Sequence, residues 1–505
     1  MTARRFHFTA AILAAATITS MATVRYVDVN NPNPATPYTT WATAANVIQH
    51  AVDAAAAGDE IVVTNGLYAT GGRAVRGLTV NRVAVDRPMV VRSVNGPEAT
   101  IIQGRQVAGT TNGVGAVRCV YLTNEVSLSG FTLTGGATGT EVDHSGGGVL
   151  SEGAVVTNCV IVGNTASSYG GGVYGASRLF NCLIISNSAS AGGGTWEGSL
   201  SNCTLIGNAA RSGGGAAYAW LYNCLVISNS AAISPDFGGG GGGTYGSFLY
   251  NCTVVGNSGS GASGLLFYPV GAMSALYNCI LFHNSCSAAE QYSDIAGSKN
   301  GIRAQNCCVT PQSGWDWQTN NENCFARDPR FVDEAAGDLR LRSDSPCINA
   351  GLNDYAPAGT DFDGNPRIVG GAVDIGAFEF QSPQSTMPYW WLQQYALPTD
   401  GSADLADTDS DGHNNWQEWR ADTVPTNALS RLALIAPTNA PGGLAVTWQS
   451  VPTRSYFLQR GTDLAGTPAL LTLATNIPGQ AGTTTFTDTT ATNGGPFFYR
   501  VGVQQ

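Results

Sequence analysis

The densest run of metal-ligating side chains lies between Asp407 and Glu418. Asp407, Asp409 and Asp411, then Gly412 and Glu418, fit the pattern D-x-D-x-D-G-x5-E without a gap. Calcium is a hard cation that takes about six to eight oxygens, and alternate carboxylates in a turning loop converge on one point. Gly412 makes the bend, Glu418 closes bidentately, and His413 offers its backbone carbonyl rather than its imidazole. Asn415 stands at the ninth position, commonly reached through water. A lone loop predicts structural Ca2+ stiffening a junction, since sensors pair such loops. Asp361, Asp363 and Asp374 offer a second set, which reads better as a hydrogen-bonded cap.

Cleavage of a polysaccharide needs an exposed cluster of acids, commonly with a basic partner. From Gly153 to Ala289 the only carboxylates are Glu197 and Asp236, and the only basic residues are Arg178 and Arg211. Glu141, Asp143, His144 and Glu152 at the early edge complete the catalytic candidates. None shows a spacing that demands chemistry, and solvated loop acids are the plainer reading. Aromatic residues point to binding instead. Tyr174, Trp196 and Tyr245 follow glycine clusters, and Phe180, Tyr222, Tyr250 and Tyr277 precede Asn-Cys pairs. Exposed rings grip sugar faces at ~1 kcal/mol or more each. A self-stacked ladder that only stiffens the chain is an equal alternative.

The charge balance narrows the partners. The 505 residues carry 24 Lys+Arg against 35 Asp+Glu, a net charge of -11. Between Glu322 and Asp422 there are 18 acids and 6 arginines, so this one stretch carries the whole imbalance. A nucleic-acid partner is excluded, because it needs basic surface to displace phosphate counterions.

A repeat must position these residues. NCVIVGN from Asn158, NCLIISN from Asn181, NCTLIGN from Asn202, NCLVISN from Asn223, NCTVVGN from Asn251 and NCILFHN from Asn278 recur. Their cysteines are 23, 21, 21, 28 and 27 residues apart. A period of this length marks a solenoid. Leu179, Leu200, Leu221, Leu249 and Leu276, the cysteines, and then Ile184, Leu205, Val226, Val254 and Leu281 are apolar at every rung. Alternation and β-branching read as short strands, three to a coil. The expected fold class is therefore all-β: a right-handed parallel β-helix solenoid with a short N-terminal capping helix, plus a small C-terminal β-sandwich.

Coils about 4.8 Å apart turn each repeated position into a column. Asn158, Asn181, Asn202, Asn223, Asn251 and Asn278 predict one amide ladder, and Asn164, Asn187, Asn208, Asn229, Asn257 and Asn284 a second. Cys159, Cys182, Cys203, Cys224, Cys252 and Cys279 predict a column of free buried thiols, with Cys119 a candidate start and Cys307 a candidate end. Cys286, Cys308, Cys324 and Cys347 lie off this phase and are the better disulfide partners.

The ends have their own grammar. Arg4 and Arg5, the apolar run Phe8 to Ile18 and the small residues at Ser20 and Ala22 predict a signal peptide over residues 1–22. No other segment reaches ~18 apolar residues, so no transmembrane span is expected in the mature chain. Ala44 to Ala57, ended by Gly58, predicts the capping helix. Residues 23–380 read as the β-helix with caps, 381–425 as a linker and calcium loop, and 426–505 as the sandwich. Trp390, Trp391 and Tyr395 lie on one face of a short helix beside the loop. The alternation of Leu444, Val446 and Trp448, then Tyr456 and Leu458, carries the sandwich.

The run IQHAVDAAAAGDEIVVTNGLY from Ile48 resembles the opening of many exported right-handed β-helix proteins. VGNTASSYGGGVYG from Val162 resembles the repeats of polymorphic outer-membrane adhesins. DPRFVDEAAGDLRLRSDSPCINAG from Asp328, TDFDGNPR from Thr360 and VDIGAFEF from Val373 are similar to the closing region of choice-of-anchor Q β-helix proteins. The calcium loop resembles those of dockerin and thrombospondin type 3 repeats, and the last module resembles fibronectin type III. These likenesses specify fold well and activity poorly. Together with the signal peptide, the sparse acids and the aromatic residues, they predict an exported, cell-surface or secreted protein of the bacterial envelope that binds an extracellular glycan or cell-surface component without turnover. A polysaccharide lyase or glycoside hydrolase is the alternative.

Overall fold

The corner asparagines decide where each coil bends. In a computed structural model of the chain, Asn158, Asn181, Asn202, Asn223, Asn251, Asn278, Asn306 and Asn323 all lie at φ between +49° and +55°. This left-handed region is closed to most side chains but open to Asn and Gly. Gly130, at φ +79°, makes the same corner one coil before Asn158. Asn306 and Asn323 extend the series two coils beyond the six recognised by sequence. The structure describes residues 22–75, 77, 79–140, 143–232, 240–260, 263–266, 274–286, 294–296, 302–310, 321–356, 359–465, 469–492 and 495–504.

Two compact units make up the chain: Met1–Ser167 with Gly172–Arg178, and Ser168–Gly171 with Leu179–Gln505. In the first unit, one stack holds Val24–Val27, Glu60–Val63, Val90–Ser93, Ser127–Ser129 and Val155–Thr157, all parallel. A second holds Gly66–Tyr68, Thr100–Gln103, Thr132–Thr134 and Val160–Val162. A third holds Val80–Val85, Val117–Leu122, Val149–Ser151 and Val173–Tyr174. Pairing is in register, so Ile61, Val91, Leu128 and Val156 form one dry column. These long parallel stacks are those of a right-handed parallel β-helix, the fold class expected from sequence.

The first edge is covered by a helix shorter than sequence suggests. Helix α1 spans Ile48–Ala54 rather than residues 44–57. Ala45 is held extended, because Asp28 donates to its carbonyl at 2.8 Å and its N–H donates to Tyr26 at 2.9 Å. Strand pairing outweighs alanine's helix propensity there. Gln49 of α1 is buried and bonds both backbone groups of Ala84, at 2.6 and 3.1 Å. Its amide so replaces the missing neighbour of strand Val80–Val85.

The second unit repeats the plan. Leu200, Leu221, Leu249, Leu276 and Ala304 align in the first stack, and Ile184, Leu205, Val226, Val254 and Leu281 in the second. A fourth short stack, absent from the three-strand reading, joins Ala209–Ala210, Ser230–Ala231, Ser258–Gly259 and Ser285–Cys286. Inside runs an amide ladder. Asn208 accepts from both the backbone and side-chain nitrogens of Asn187, at 3.0 Å each. Asn229 does the same for Asn208, Asn257 for Asn229, and Asn284 for Asn257, at 2.8–3.0 Å. Asp294 ends the series, accepting from Asn284.

The other asparagine series forms a clasp at four of its corners. Asn306, Asn278, Asn251 and Asn223 donate to the carbonyls of Ala350, Leu352, Tyr355 and Thr360, at 2.9, 2.9, 2.7 and 3.0 Å. The returning chain is thus strapped along the corners in reverse order. Within the series, Asn278 also donates to Asn251, at 3.1 Å. A left-handed corner turns the amide outward, where the strap supplies the carbonyl.

None of the twelve cysteines is in a disulfide. Backbone N–H groups of Cys182, Cys224 and Cys252 donate to the sulfur one coil on, at 3.4–3.5 Å. Cys119 is not the start of this column: it lies on the third stack and its thiol donates to Thr134 and Asn164. The disulfides expected of Cys286, Cys308, Cys324 and Cys347 do not form. Cys347 and Cys308 are buried thiols packed with Phe331 and Ile348. Cys324 donates instead to the Glu322 carbonyl.

The C-terminal strands form two antiparallel three-stranded sheets. One has Gly443–Ser450 between Leu434–Ala440 and Gly482–Asp488, the other Ser455–Gly461 between Leu471–Pro478 and Phe498–Val503. Val446, Trp448, Tyr456 and Leu458 are buried between them.

Replacing Asn229 by Leu strips the acceptor from two Asn208 nitrogens and the donor from the Leu205 carbonyl. It is expected to cost about 3 kcal/mol. Asn202→Gly, at a corner whose φ glycine adopts freely, should cost about 1 kcal/mol or less. Urea unfolding of both variants checks this, and equal losses would count against the ladder.

Candidate functional site

The acidic loop is built by a turn running into a helix. Helix α2 spans Tyr389–Gln394 and helix α3 spans Asn415–Ala421. Asn414 caps α3, accepting from the Gln417 N–H while the Gln417 side chain accepts from Asn414. Asp407 accepts from the N–H groups of Asp411 and Gly412, at 3.1 and 2.9 Å. Gly412 sits at φ +94°, which a side chain would strain. Ligand oxygens of Asp407, Asp409 and Asp411 lie within 4.8 Å of one another. Both Asp409 oxygens, Asp411 Oδ2 and Glu418 Oε2 are buried and accept no hydrogen bond. The converging, unbonded oxygens of Asp409 and Asp411 suit a hard cation; Glu418 is not among the three carboxylates that converge. Burial and the charges of Asp409 and Asp411 push the Glu418 carboxyl up to about 7. His413 turns its ring to Asp411, at 3.3 Å. Asn415 is committed elsewhere, donating to Ala403 and accepting from Thr408. Trp391 and Tyr395 pack against each other, and with Trp390 they join the core that α2 shares with the strap.

The described catalytic candidates fall in both units. Glu141 and Asp236 lie outside the described residues. Asp143 is bound by the fully buried Arg118, at 2.6 Å, which also donates to Asn81, Gly146 and Ser145. Glu152 accepts from the Tyr121 hydroxyl at 2.9 Å. The His144 carbonyl accepts from Thr138 and Ser167. Glu197 is exposed in the second unit, in a left-handed turn at φ +65°.

The aromatic residues fall into groups. Tyr174 packs with Ala84, Tyr121 and Leu150 in the first unit. In the second, Trp196 touches Tyr169 and Tyr218, and Tyr218 meets the buried Tyr245 edge-on. Tyr222, Tyr250, Tyr277 and Tyr355 stack in sequence, with centroids 4.9, 5.0 and 3.9 Å apart. Their faces cover one another. Trp220 lies on Phe248 at 4.2 Å and 10°, and its partner on the other side is Ser199. One indole face is therefore open, and Trp220 is 42% exposed. Ser201 pairs with Tyr222, and its carbonyl accepts from Asn181, placing Phe180 across from it. Phe180, 39% exposed, and Tyr222 so flank a serine floor. Sequence reading missed Trp220 and Phe248, although both sit two residues before an outward tyrosine and share its parity.

The acids of the closing segment do form a hydrogen-bonded network. Asp361 accepts from Asp363, Asn365 and Glu379 N–H groups, and Asp374 from those of Asn349 and Phe380. Asp363 turns away to Arg340, at 2.6 Å. Glu379 accepts from Val369 and Asp374, and the buried Arg367 lies 3.8 Å from it. Burial pushes Asp374 up to about 7 and Glu379 to about 9, the latter helped by the Asp374 charge.

The fold defines an all-β parallel β-helix protein. No family model matches the sequence, and no curated protein matches it. Among solved structures the chain is similar to pectate lyase Pel9A, at 13% identity and a TM-score of 0.42, over 71% of this chain and 97% of that one. It is similar to pectin methylesterase PemA from Erwinia chrysanthemi, at 11% and 0.30, over 61% and 94%. The A-module of mannuronan C-5 epimerase AlgE6 from Azotobacter vinelandii follows at 14% and 0.31, over 56% and 95%. At these identities none of their chemistry carries over.

Carboxyls with raised folded-state pKa hold extra protons in the folded state, so stability falls as pH rises. For this network the fall should run from the ordinary values of 3.8 and 4.5 up to about 7 and about 9. Glu379→Gln should flatten the slope of melting temperature between pH 5 and 9. An unchanged slope would place the protons elsewhere.

Proposed function

We propose that this is an exported β-helix protein that binds extracellular glycans at its outer aromatic face and releases no product. The observation that carries the reading is the open face of Trp220, continued by Phe180 and Tyr222 across the serine rung. A sugar ring laid on the indole buries its apolar C–H face while its hydroxyls stay in water. Tyr250, Tyr277 and Tyr355 back this platform by stacking, and Trp196, Tyr245 and Tyr174 stiffen their corners. The held state of Asp143 and Glu152 supports binding without turnover. Residues 1–22 serve as the export signal, 23–380 as the β-helix, 381–425 as the linker with its calcium loop, and 426–505 as a fibronectin-III-like module. The protein works at the cell surface or in the extracellular space.

Binding is tested on a glycan array of uronate and neutral polysaccharides, with absorbance near 235 nm and reducing ends followed together. Retention of a glycan that Trp220→Ala weakens about tenfold is the expected result. An empty array, or product from any glycan, refutes the reading.

Calcium held by Asp407, Asp409, Asp411, the His413 carbonyl and Glu418 stiffens the segment leading into the last module. The four unbonded carboxylate oxygens support this assignment. Asn415 would act there only through water, since its amide is taken. With Ca2+ at about 100 times its Kd, binding contributes about 2.7 kcal/mol to the folded state. Removal by EGTA should lower the melting temperature of wild type and leave Glu418→Gln unmoved. Melting indifferent to EGTA in both would count against the site.

A further inference from the structure

Arg82 is a buried cation without a buried anion. It leaves strand Val80–Val85 and is 8% exposed. The other buried arginines each face a carboxylate: Arg25 meets Asp59 at 3.0 Å, Arg118 meets Asp143 at 2.6 Å, and Arg367 lies 3.8 Å from Glu379. Arg82 instead donates through Nε to the Gln103 carbonyl, at 2.8 Å, and through Nη1 to the Gly71 carbonyl. Among the described residues no carboxylate pairs with it. Its charged neighbour is a second cation, Arg105, whose Nε and Nη2 both donate to the Gly115 carbonyl. Burial pulls the Arg82 pKa below the ordinary arginine range, and the Arg105 charge adds to the pull.

Both arginines line one cleft of about 640 Å³ in the first unit, with Gln103, Gln106, Gly71 and Val80. A guanidinium withdrawn from water without a counter-charge is unfavourable, and that penalty falls when an anion arrives. Among the described residues, two of the five N–H donors of Arg82 have protein partners. The planar fork matches a carboxylate or sulfate edge. The cleft falls in the range of about 300–1,000 Å³ that organic ligands occupy, well above the size of an inorganic anion. Gln103 and Gln106 also line it; Gln106 donates its Nε2 to the Gly163 carbonyl at 2.9 Å, which leaves its oxygen for a hydroxyl group.

We propose that this cleft binds an acidic saccharide, its carboxylate or sulfate ester held between Arg82 and Arg105 and its hydroxyls turned to Gln103 and Gln106. The site rests on the glycan reading in taking a sugar as the carrier of the charge, but it uses none of the residues of the aromatic face. Calorimetry on the full chain with a galacturonate trisaccharide, a sulfated disaccharide, a neutral cello-oligosaccharide and sodium sulfate separates the sources of the anion. One of the two acidic saccharides should bind, about tenfold more weakly in Arg105→Gln and more weakly still as salt rises. Arg105 is exposed, so that variant keeps the fold; Arg82→Gln, checked by its melting curve, should abolish binding. Trp220→Ala should change nothing here. Acidic saccharides that fail to bind, bind Arg105→Gln as well as wild type, or bind no better than sulfate would each overturn the proposal. If only acidic probes fail while a neutral glycan still binds through Trp220, this cleft falls alone. If Trp220 proves silent while Arg105 matters, the aromatic face falls alone.

Discussion

A buried carboxamide has two donors and an acceptor to satisfy, and inside a dry interior nothing but protein can satisfy them. In the second unit each inner asparagine gives its amide to the coil behind and the coil ahead, and receives two N–H groups in return. That exchange works at one separation, the spacing of adjacent parallel strands. A coil with one residue too many before the asparagine would strand several polar groups at once, each worth about 1–3 kcal/mol. Insertions are therefore tolerated elsewhere in the coil, which is why cysteine spacings vary between 21 and 28 residues while the heptad around each Asn-Cys pair keeps its length. The leucine, thiol and β-branched columns inherit their register from this constraint.

Two asparagine series, alike in sequence, do different work because their side chains leave the coil on opposite sides. The inner series is sealed from water and bonds along the solenoid. The corner series adopts left-handed backbone and faces outward, where Asn223, Asn251, Asn278 and Asn306 fasten the returning segment. Glycine would satisfy the corner equally well, as Gly130 does, but could not hold the strap. The strap in turn explains the acidic closing stretch. Its carboxylates are spent on the N–H groups of its own irregular turns, with Arg367 set among them. Backbone that belongs to no sheet needs acceptors from side chains, and aspartate supplies two.

The repeat, its strands and its inward columns were legible because a two-residue alternation tied to Asn-Cys admits few other folds. The strap was not, because its partners lie up to 137 residues apart and no local period marks them. The length of α1 was misread for a similar reason: the pairing of Ala45 with Tyr26 and Asp28 is invisible to helix propensity. At the acidic loop, spacing picked out Asp407, Asp409 and Asp411, whose carboxylates converge, because the turn that gathers them is local. At the aromatic face it named the tyrosines but not the tryptophan, because what distinguishes Trp220 is the serine on the neighbouring coil.

The same reasoning explains how so charge-poor a solenoid makes surfaces that differ. Stacking repeats a side chain's environment from coil to coil, so identical rings bury each other and become structural, as Tyr222, Tyr250 and Tyr277 do. Recognition needs the repetition broken. A serine rung in a run of aromatic residues uncovers one indole face, and an arginine without its acid leaves one cleft cationic. In a fold whose stability comes from sameness between neighbours, the residues that depart from their column are the ones whose bonding capacity remains for a ligand.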